Sequence, residues 1–248
     1  MEKQQFIDIN CDVGEGIGNE RELLPLISSC NIACGGHSGD AESMRQTVLL
    51  AKQNHVLIGA HPSYPDKENF GRRSMTIAPT VFVDSIGQQI KALQAILETM
   101  DLPLNHIKAH GALYNDLAKN EELAILFLKA ILPYKESTAI YAAPISTLGK
   151  EALKHGFKVV YEAFADRNYN RDLSLVSRSQ ENAVIKDPIK VYEHLLRMVI
   201  DRKVRTVDGQ LLQIEAQTYC VHGDTPNALQ ILMYLTDNLP NQNIYISK

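Results

Sequence analysis

The sequence predicts an α/β fold, a barrel of parallel strands surrounded by helices. Short apolar, β-branched segments alternate with longer segments of helical periodicity, which is the pattern of repeated strand–helix units. The 248 residues, of which 45% are hydrophobic and 22% charged, suit one large domain with an ordinary core. Four histidines also lie where a predicted strand gives way to a loop, and the strand ends of a parallel barrel bring together side chains from distant parts of a chain.

Seven segments are predicted as strands, and we expect them to form a single-domain β/α barrel over residues 1–248. Each segment is short, rich in apolar or β-branched residues and bounded by residues that favour turns. No low-complexity stretch, fixed-period repeat or linker rich in Pro, Gly or Ser divides the chain. The predicted strands are Phe6–Asn10, Cys30–Cys34, Val56–His61, His106–His110, Ala139–Ala143, Val159–Ala163 and Tyr219–His222.

Six segments between these strands have helical periodicity, and several carry a start signal. Asp40 precedes the first helix, Pro79 and Thr80 open the second, and Asp224 stands shortly before Pro226 at the start of the last. The predicted helices are Ala41–His55, Thr80–Met100, Asn115–Leu132, Ser146–His155, Pro188–Arg202 and Pro226–Asn238.

Two regions interrupt the alternation of strands and helices. Residues 166–182 are polar and too long for an ordinary connection, so we expect a loop over the active face of the barrel. Residues 204–214 have the pattern of a β-hairpin that turns at Asp208 and Gly209, and we expect this accessory hairpin outside the barrel sheet.

The composition argues against several classes of protein. A net charge of −4 disfavours a broad nucleic-acid surface. No apolar run approaches the ~18 residues of a membrane-spanning helix, and residues 1–5 lead into the first strand without a signal-type segment, so we expect no membrane anchor and a cytoplasmic location. The cysteines lack paired spacing and are expected to be buried thiols rather than disulfides or nucleophiles; they are Cys11, Cys30, Cys34 and Cys220.

Four histidines share one setting at the ends of predicted strands. His37, His61, His110 and His222 each follow an apolar segment and have an acidic or polar residue within a few positions. One such histidine is more often an ordinary loop residue, but four in the same setting favour an active site. We therefore expect the four imidazoles to meet at one end of the barrel and to act in proton transfer.

The first strand carries three polar residues on one face. In an extended chain alternate residues point the same way, so Asp8, Asn10 and Asp12 share a face that looks into the barrel. Polar groups there lose their hydration, which is costly unless they serve a site. The alternative is that Asp12 and Glu15 only cap the turn that follows.

Lys108 and His110 are two residues apart and share a face of another predicted strand. On a strand His106 and His110 lie about 13 Å apart and cannot bind one metal ion together, so we expect His106 at the far end. A lysine that points into a barrel mouth suits an anion such as a carboxylate or phosphate.

Further charged residues lie near predicted strand ends. Glu162 closes one strand, with Asp166 and Arg167 just beyond it, and Arg72 and Arg73 follow His61 on a loop. An arginine fork recognises carboxylates and phosphates, although an Arg-Arg pair on a loop is equally often plain surface.

Seven segments in chain order, from residue 6 to about residue 225, carry a family pattern: residues 8–15, 31–40, 59–66, 70–73, 108–115, 162–169 and 220–224. Together they resemble the LamB/YcsF family. The chain departs from the family pattern in two places. Ala109 replaces a proline that is common in the family, and Leu175–Gln180, which contains Arg178, lacks the expected Pro and Gly.

The resemblance implies a fold, a reaction and partners. The fold is a seven-stranded, distorted TIM-like β/α barrel of the glycoside hydrolase/deacetylase superfamily. The reaction is ATP-dependent hydrolysis of 5-oxo-L-proline to L-glutamate, together with 5-oxoprolinase subunits B and C. Since the lactam is an unstrained amide, we expect ATP to phosphorylate its oxygen before water attacks, with Mg²⁺ accompanying the nucleotide.

Residue patterns and resemblance together give the candidate site. We assign no dedicated metal ligands, and the sequence has no G-x-x-x-x-G-K-[ST] phosphate loop, so ATP is expected to bind by another route or chiefly on a partner. The candidate catalytic residues are Asp8, His37, His61, Lys108, His110, Glu162 and His222, and the candidate substrate-binding residues are Asn10, Asp12, Asp40, Arg72, Tyr114, Asp166, Arg167 and Asp224.

The sequence leaves two other functions open. An Asp and two His that converge at a barrel mouth could hold zinc or a similar ion and activate water without ATP, as in a metal-dependent amide or carbohydrate deacetylase. Alternatively, the chain could be a regulatory protein of the complex that binds a small carboxylate without turnover.

Overall fold

The structure, a computed structural model that describes residues 4–248, is built around a closed barrel of parallel strands. In chain order the strands are β1 Gln5–Val13, β2 Ser29–Ala33, β3 Leu57–His61, β4 His106–Lys108, β5 Ala139–Ala142, β6 Lys158–Phe164, β7 Lys203–Arg205, β8 Leu211–Gln213, β9 Thr218–Cys220 and β10 Ile244–Ile246. Seven of them pair in the order β1, β2, β3, β4, β5, β6 and β9, and β9 pairs again with β1 to close the ring. This arrangement confirms the predicted seven-stranded β/α barrel.

Helices surround the barrel, and several begin at the residues that the sequence marks as caps. Asp40 accepts a hydrogen bond from the Ser43 amide, and the Ser43 hydroxyl accepts one from the Asp40 amide. No helix within residues 4–248 is long and apolar enough to cross a membrane. The helices are α1 Glu20–Leu23, α2 Ala41–Gln53, α3 Pro79–Glu98, α4 Gly111–Leu117, α5 Glu121–Ala130, α6 Thr147–Lys154, α7 Pro188–Ile200 and α8 Ala228–Asn238.

The region after β4 differs from the sequence prediction. β4 ends at Lys108, and His110 is the N-cap of α4 rather than the last residue of a strand. Gly111 has a φ of +55°, and a side chain there would approach the Gly71 carbonyl oxygen to 2.7 Å, so this turn requires glycine. The single helix predicted over Asn115–Leu132 is two helices, because Asn120 caps α5 by accepting from the Leu123 amide.

Two smaller elements complete the sheet structure. β7 and β8 pair in antiparallel register as a separate hairpin, as the sequence predicts. β10 lies parallel to the first residues of β1, with Gln5 opposite Ile244, and was not predicted. A three-residue strand at the end of a polar segment gives no periodic signal, so only the pairing partner reveals it.

The barrel interior is polar, whereas the apolar core lies between the barrel and its helices. Asn10 donates hydrogen bonds to Glu162 and Thr218, and Asn31 donates to Asn10 and Asp12. Parallel barrels are usually filled by branched apolar side chains. The side chains that β1 turns outward, Ile7, Ile9 and Cys11, belong to the core.

All four cysteines are buried free thiols, as expected. Burial raises the pKa of each, and for Cys34 it reaches about 12. None is therefore prepared to act as a thiolate nucleophile.

Candidate active site

A cavity of about 490 Å³ opens at the carboxyl ends of the barrel strands. Its wall is formed by strand ends and by the loops that follow β3, β6 and β9, which is the face where parallel barrels place their sites. Residues 174–179 cover one side, so the long loop after β6 lies over this face as predicted. The predicted residues that line the cavity are Asp12, His61, Arg72, Lys108, His110, Tyr114, Arg167, His222 and Asp224.

Lys108 lies at the base of the cavity between two carboxylates. Its Nζ is 2.9 Å from Oδ1 of Asp12 and 2.8 Å from Oε1 of Glu162, and it is also 3.2 Å from Sγ of Cys220. Burial opposes the charge on the ammonium, but Asp12, Cys220 and Glu162 outweigh it and raise the pKa of Lys108 well above its ordinary value. Burial likewise opposes ionisation of Asp12, but His61 and Lys108 hold the pKa of its carboxyl well below the usual range.

His61 and His110 face each other beside this lysine. Nδ1 of His61 donates to the Lys108 carbonyl at 2.8 Å, and Nε2 of His110 donates to the Phe70 carbonyl at 3.0 Å. Their inner nitrogens, Nε2 of His61 and Nδ1 of His110, are 3.0 Å apart. Oδ2 of Asp12 lies 3.3 Å from the first of these nitrogens.

Glu15 completes this group, although it was not among the candidate site residues predicted from the sequence. It is 6% exposed, and its Oε1 lies 2.9 Å from Nε2 of His37 and 3.2 Å from Nδ1 of His110. Burial opposes ionisation, yet the close contacts with His110 and His37 hold the pKa of Glu15 well below its ordinary value. His37 stacks on the His110 ring at 3.6 Å and supports it from behind the cavity wall, and burial lowers the pKa of His37 to about 4.

His222 lines the same cavity and is held by Asp166. Nδ1 of His222 lies 3.0 Å from the Asp166 carboxylate, which also accepts from the His222 amide and, at 2.5 Å, from the Thr225 hydroxyl. Burial opposes ionisation of Asp166, but His222 and these hydrogen bonds lower its pKa to about 2. Asp166 thus orients an imidazole instead of lining the cavity as a substrate-binding residue.

Asp224 joins two arginines across the cavity mouth. Arg178 binds it in bidentate fashion, with Nη1 3.1 Å from Oδ2 and Nη2 3.2 Å from Oδ1, and Arg72 binds the same carboxylate. The sequence left Arg178 unassigned, because nothing in the pattern of its loop shows which way the loop folds. Arg167 instead donates to the Val176 and Ala183 carbonyls and so holds that loop in place.

A side recess of about 140 Å³ adjoins the main cavity and contains Glu162 and Tyr114. Oε1 of Glu162 accepts from Asn10 and Lys108, whereas within residues 4–248 Oε2 of Glu162 and the Tyr114 hydroxyl have no polar neighbour for a hydrogen bond except each other. Burial raises the pKa of Tyr114 well above its ordinary value, so this hydroxyl keeps its proton. The recess can therefore offer both a proton donor and an acceptor.

Three predicted site residues lie elsewhere. Asp8 precedes Asp12 by four positions on the same strand and therefore lies towards the amino-terminal end of the barrel, where it accepts from Ser29 at 2.9 Å and from Thr218. Asp40 is exposed and caps α2. Asn10 lies one layer below the cavity and supports Glu162. The structure therefore does not bring Asp8 or Asp40 to the cavity, where the sequence predicted them.

The comparison with known proteins agrees with this architecture. The model of the LamB/YcsF family matches residues 7–248. The chain is 40% identical over 245 residues to the 5-oxoprolinase A subunit of Pyrococcus furiosus, covering 97% of this chain and 96% of that protein. It is 42% identical over 246 residues to the 5-oxoprolinase A subunit of Bacillus cereus, covering 97% of each.

A solved structure is similar over nearly the same length. A lactam utilization protein from Thermus thermophilus superimposes with a TM-score of 0.91 at 36% identity, over 98% of this chain and 99% of that one. The chain belongs to the LamB/YcsF family.

Proposed function

We propose that this chain is the A subunit of a 5-oxoprolinase and that its cavity is where 5-oxo-L-proline is opened to L-glutamate. The names of its relatives, 5-oxoprolinase A subunits in two organisms and a lactam utilization protein in a third, support the substrate class. The observation that carries the proposal is the convergence of His61, His110 and His222, each fixed by a carboxylate or a carbonyl, on one cavity of the barrel.

The proposed reaction begins with transfer of the γ-phosphoryl group of ATP to the lactam oxygen, which forms a C–O–P linkage and releases ADP. Water then adds to the activated carbon and loses a proton to a base, and the C–N bond breaks as the ring nitrogen gains a proton. This leaves an acyl phosphate of glutamate. A second water attacks its carbonyl carbon and releases phosphate and the free carboxylate. The overall reaction consumes one ATP and two waters.

The residues of the cavity suit the proton transfers in this scheme. His222, held through Nδ1 by Asp166, keeps Nε2 available for a proton. His61 and His110 line the same cavity as His222, so a ring bound there would meet separate imidazoles that can act as base and as acid. Glu162 and Tyr114 offer an acceptor and a donor to polar groups of the bound lactam.

The cations at the mouth suit phosphate. Arg72 and Arg178 face the cavity, and both are paired with Asp224, so an incoming phosphoryl group would compete with that carboxylate. Because the sequence has no phosphate loop, we propose that subunits B and C complete the nucleotide site or deliver the activated substrate.

Oxygen-18 in the ring carbonyl of 5-oxoproline tests this chemistry. With the three subunits, ATP and Mg²⁺, the proposed scheme moves the label into inorganic phosphate. Direct hydrolysis of the lactam would instead leave the label entirely in glutamate. That result, particularly with turnover in the absence of ATP, would favour the second candidate, a metal-dependent amide hydrolase. This second candidate is favoured by the cluster of Asp12, Glu15, His61 and His110, whose side chains could hold a metal ion.

A further inference from the structure

We propose that Asp12, Glu15, His61 and His110 form a binding site for one divalent transition-metal ion at the base of the cavity. All four side chains are buried, and one ligand atom from each lies within 4.8 Å of all the others. This proposal concerns metal binding only and does not depend on which amide is the substrate.

The spacing of the ligand atoms fits one ion. The two inner histidine nitrogens are 3.0 Å apart, Nε2 of His61 lies 3.3 Å from Asp12, and Nδ1 of His110 lies 3.2 Å from Glu15. Nε2 of His61 lies 3.9 Å from Glu15, and the ligand atoms of the remaining pairs, Asp12 with His110 and Asp12 with Glu15, lie within 4.8 Å of each other. Ions bound at about 2.0–2.2 Å by nitrogen and oxygen hold neighbouring ligand atoms about 3.0–3.5 Å apart.

The hydrogen bonds of the outer nitrogens fix the orientation of the lone pairs. A carbonyl oxygen only accepts, so Nδ1 of His61 and Nε2 of His110 carry the protons that bond to Lys108 and Phe70. In the neutral imidazoles the inner nitrogens are then bare and face two carboxylates. Four converging acceptors repel one another unless a cation lies between them, and backbone carbonyls that anchor ligating histidines are the usual surroundings of a metal site.

The surrounding groups leave a lone pair on each proposed ligand atom for the ion. Lys108 binds Oδ1 of Asp12 and leaves Oδ2 facing His61. His37 donates to Oε1 of Glu15, the oxygen that also faces His110, and a carboxylate oxygen has a second lone pair for the ion. The group itself lines the cavity, so water or substrate could complete the coordination. Two imidazoles and two carboxylates, without a thiolate, suit zinc, manganese, iron or cobalt.

The test is metal binding by the whole chain after removal of metal with a chelator, with no 5-oxoproline or ATP present. We expect one equivalent of Zn²⁺ or Co²⁺ to bind, the melting temperature to rise with metal concentration, and the Co²⁺ form to show visible ligand-field absorption. His110→Gln and His61→Gln should each weaken the affinity at least ~100-fold and abolish that absorption, while far-ultraviolet circular dichroism confirms their fold.

Two control variants show whether the ion binds at these four residues or at other histidines of the chain. His55→Asn changes an exposed histidine and should bind metal like the parent chain. His222→Gln removes a histidine of the alternative group formed by Asp12, Cys220 and His222, and should also retain the affinity. Absence of stoichiometric binding, or binding that survives both His61→Gln and His110→Gln, would overturn the proposal. The short distance between the two inner nitrogens would then be explained by a proton that the two imidazoles share. Because turnover is not measured, failure here is independent of the proposed reaction.

Discussion

The ammonium nitrogen of Lys108 lies 2.8 Å from Oε1 of Glu162 inside the barrel. Lys108 is 2% exposed and Glu162 is 1% exposed, and Asp12 lies on the other side of the same ammonium. The sequence predicts that this lysine meets an anionic substrate, whereas the structure pairs it first with two carboxylates of the protein. Its charge therefore contributes to folding as well as to the field in the cavity.

Lys108→Met should lower the free energy of unfolding by about 3–5 kcal/mol, because it leaves two buried carboxylates without their cation. Denaturant unfolding at neutral pH measures this loss, and turnover of the folded variant should fall as well. Lys150→Met removes an exposed lysine of α6 and should change neither quantity. Unchanged stability of Lys108→Met would mean that the two carboxylates do not depend on this ammonium.

Arg178→Gln should raise the KM of the assembled enzyme for ATP about 10-fold or more with a smaller change in kcat. Loss of one charge-assisted bidentate contact to a phosphoryl group removes binding energy that is present before the transition state. Steady-state kinetics with B and C give both constants. Arg45→Gln, on the exposed side of α2, is the matched control. A fall in kcat alone would place Arg178 in the chemical step instead.

Asp40→Ala tests the role of Asp40 as a helix cap. It removes the bond from the Ser43 amide and should lower the melting temperature while turnover stays within about twofold. Asp40→Ser should restore most of the stability, since serine also caps helices. A turnover loss greater than about 10-fold in a stable Asp40→Ala protein would return Asp40 to the active site.

His194 should make stability depend on pH. Burial lowers its pKa from an ordinary 6.5 to about 4. Between these values the unfolded chain binds a proton that the folded chain does not, so stability is lost as the pH falls from 6.5 to 4. The contribution is about 3 kcal/mol at most.

His194→Gln should therefore show a shallower decline of unfolding free energy from about pH 7 to about pH 4 than the parent chain. His155→Gln, which changes an exposed histidine, should retain the parent slope. If the unfolding free energies of His194→Gln and the parent chain fall in parallel as the pH is lowered, His194 does not contribute to the pH dependence and the prediction is wrong.

Much of the barrel follows from sequence because its strands carry strong local patterns. The alternation in β1 correctly placed Asp8, Asn10 and Asp12 on one face. Alternation does not indicate how far along the barrel axis a residue lies, and Asp8 lies at the end of the barrel away from the cavity. The end of β4 was misplaced because Gly111 turns the chain only through its close approach to Gly71, which is a contact distant in sequence.

The candidate site could be predicted where a residue sits directly at a strand end and not where a loop carries it. His61 and Lys108 end their strands, and both line the cavity. Glu15 and Arg178 reach the site through loop conformations that no periodicity encodes. Their positions depend on tertiary partners, His37 and His110 for Glu15 and Asp224 for Arg178.

The most direct test of the proposed function is glutamate formation from 5-oxo-L-proline by the purified chain, with ATP and Mg²⁺, before and after addition of subunits B and C. We predict negligible turnover by the chain alone, ATP-dependent turnover by the complex, and a loss of at least ~100-fold when the complex carries His110→Ala. His55→Asn should leave turnover of the complex unchanged. Robust turnover without B and C, or near-normal turnover of a complex with His110→Ala, would contradict the proposed function.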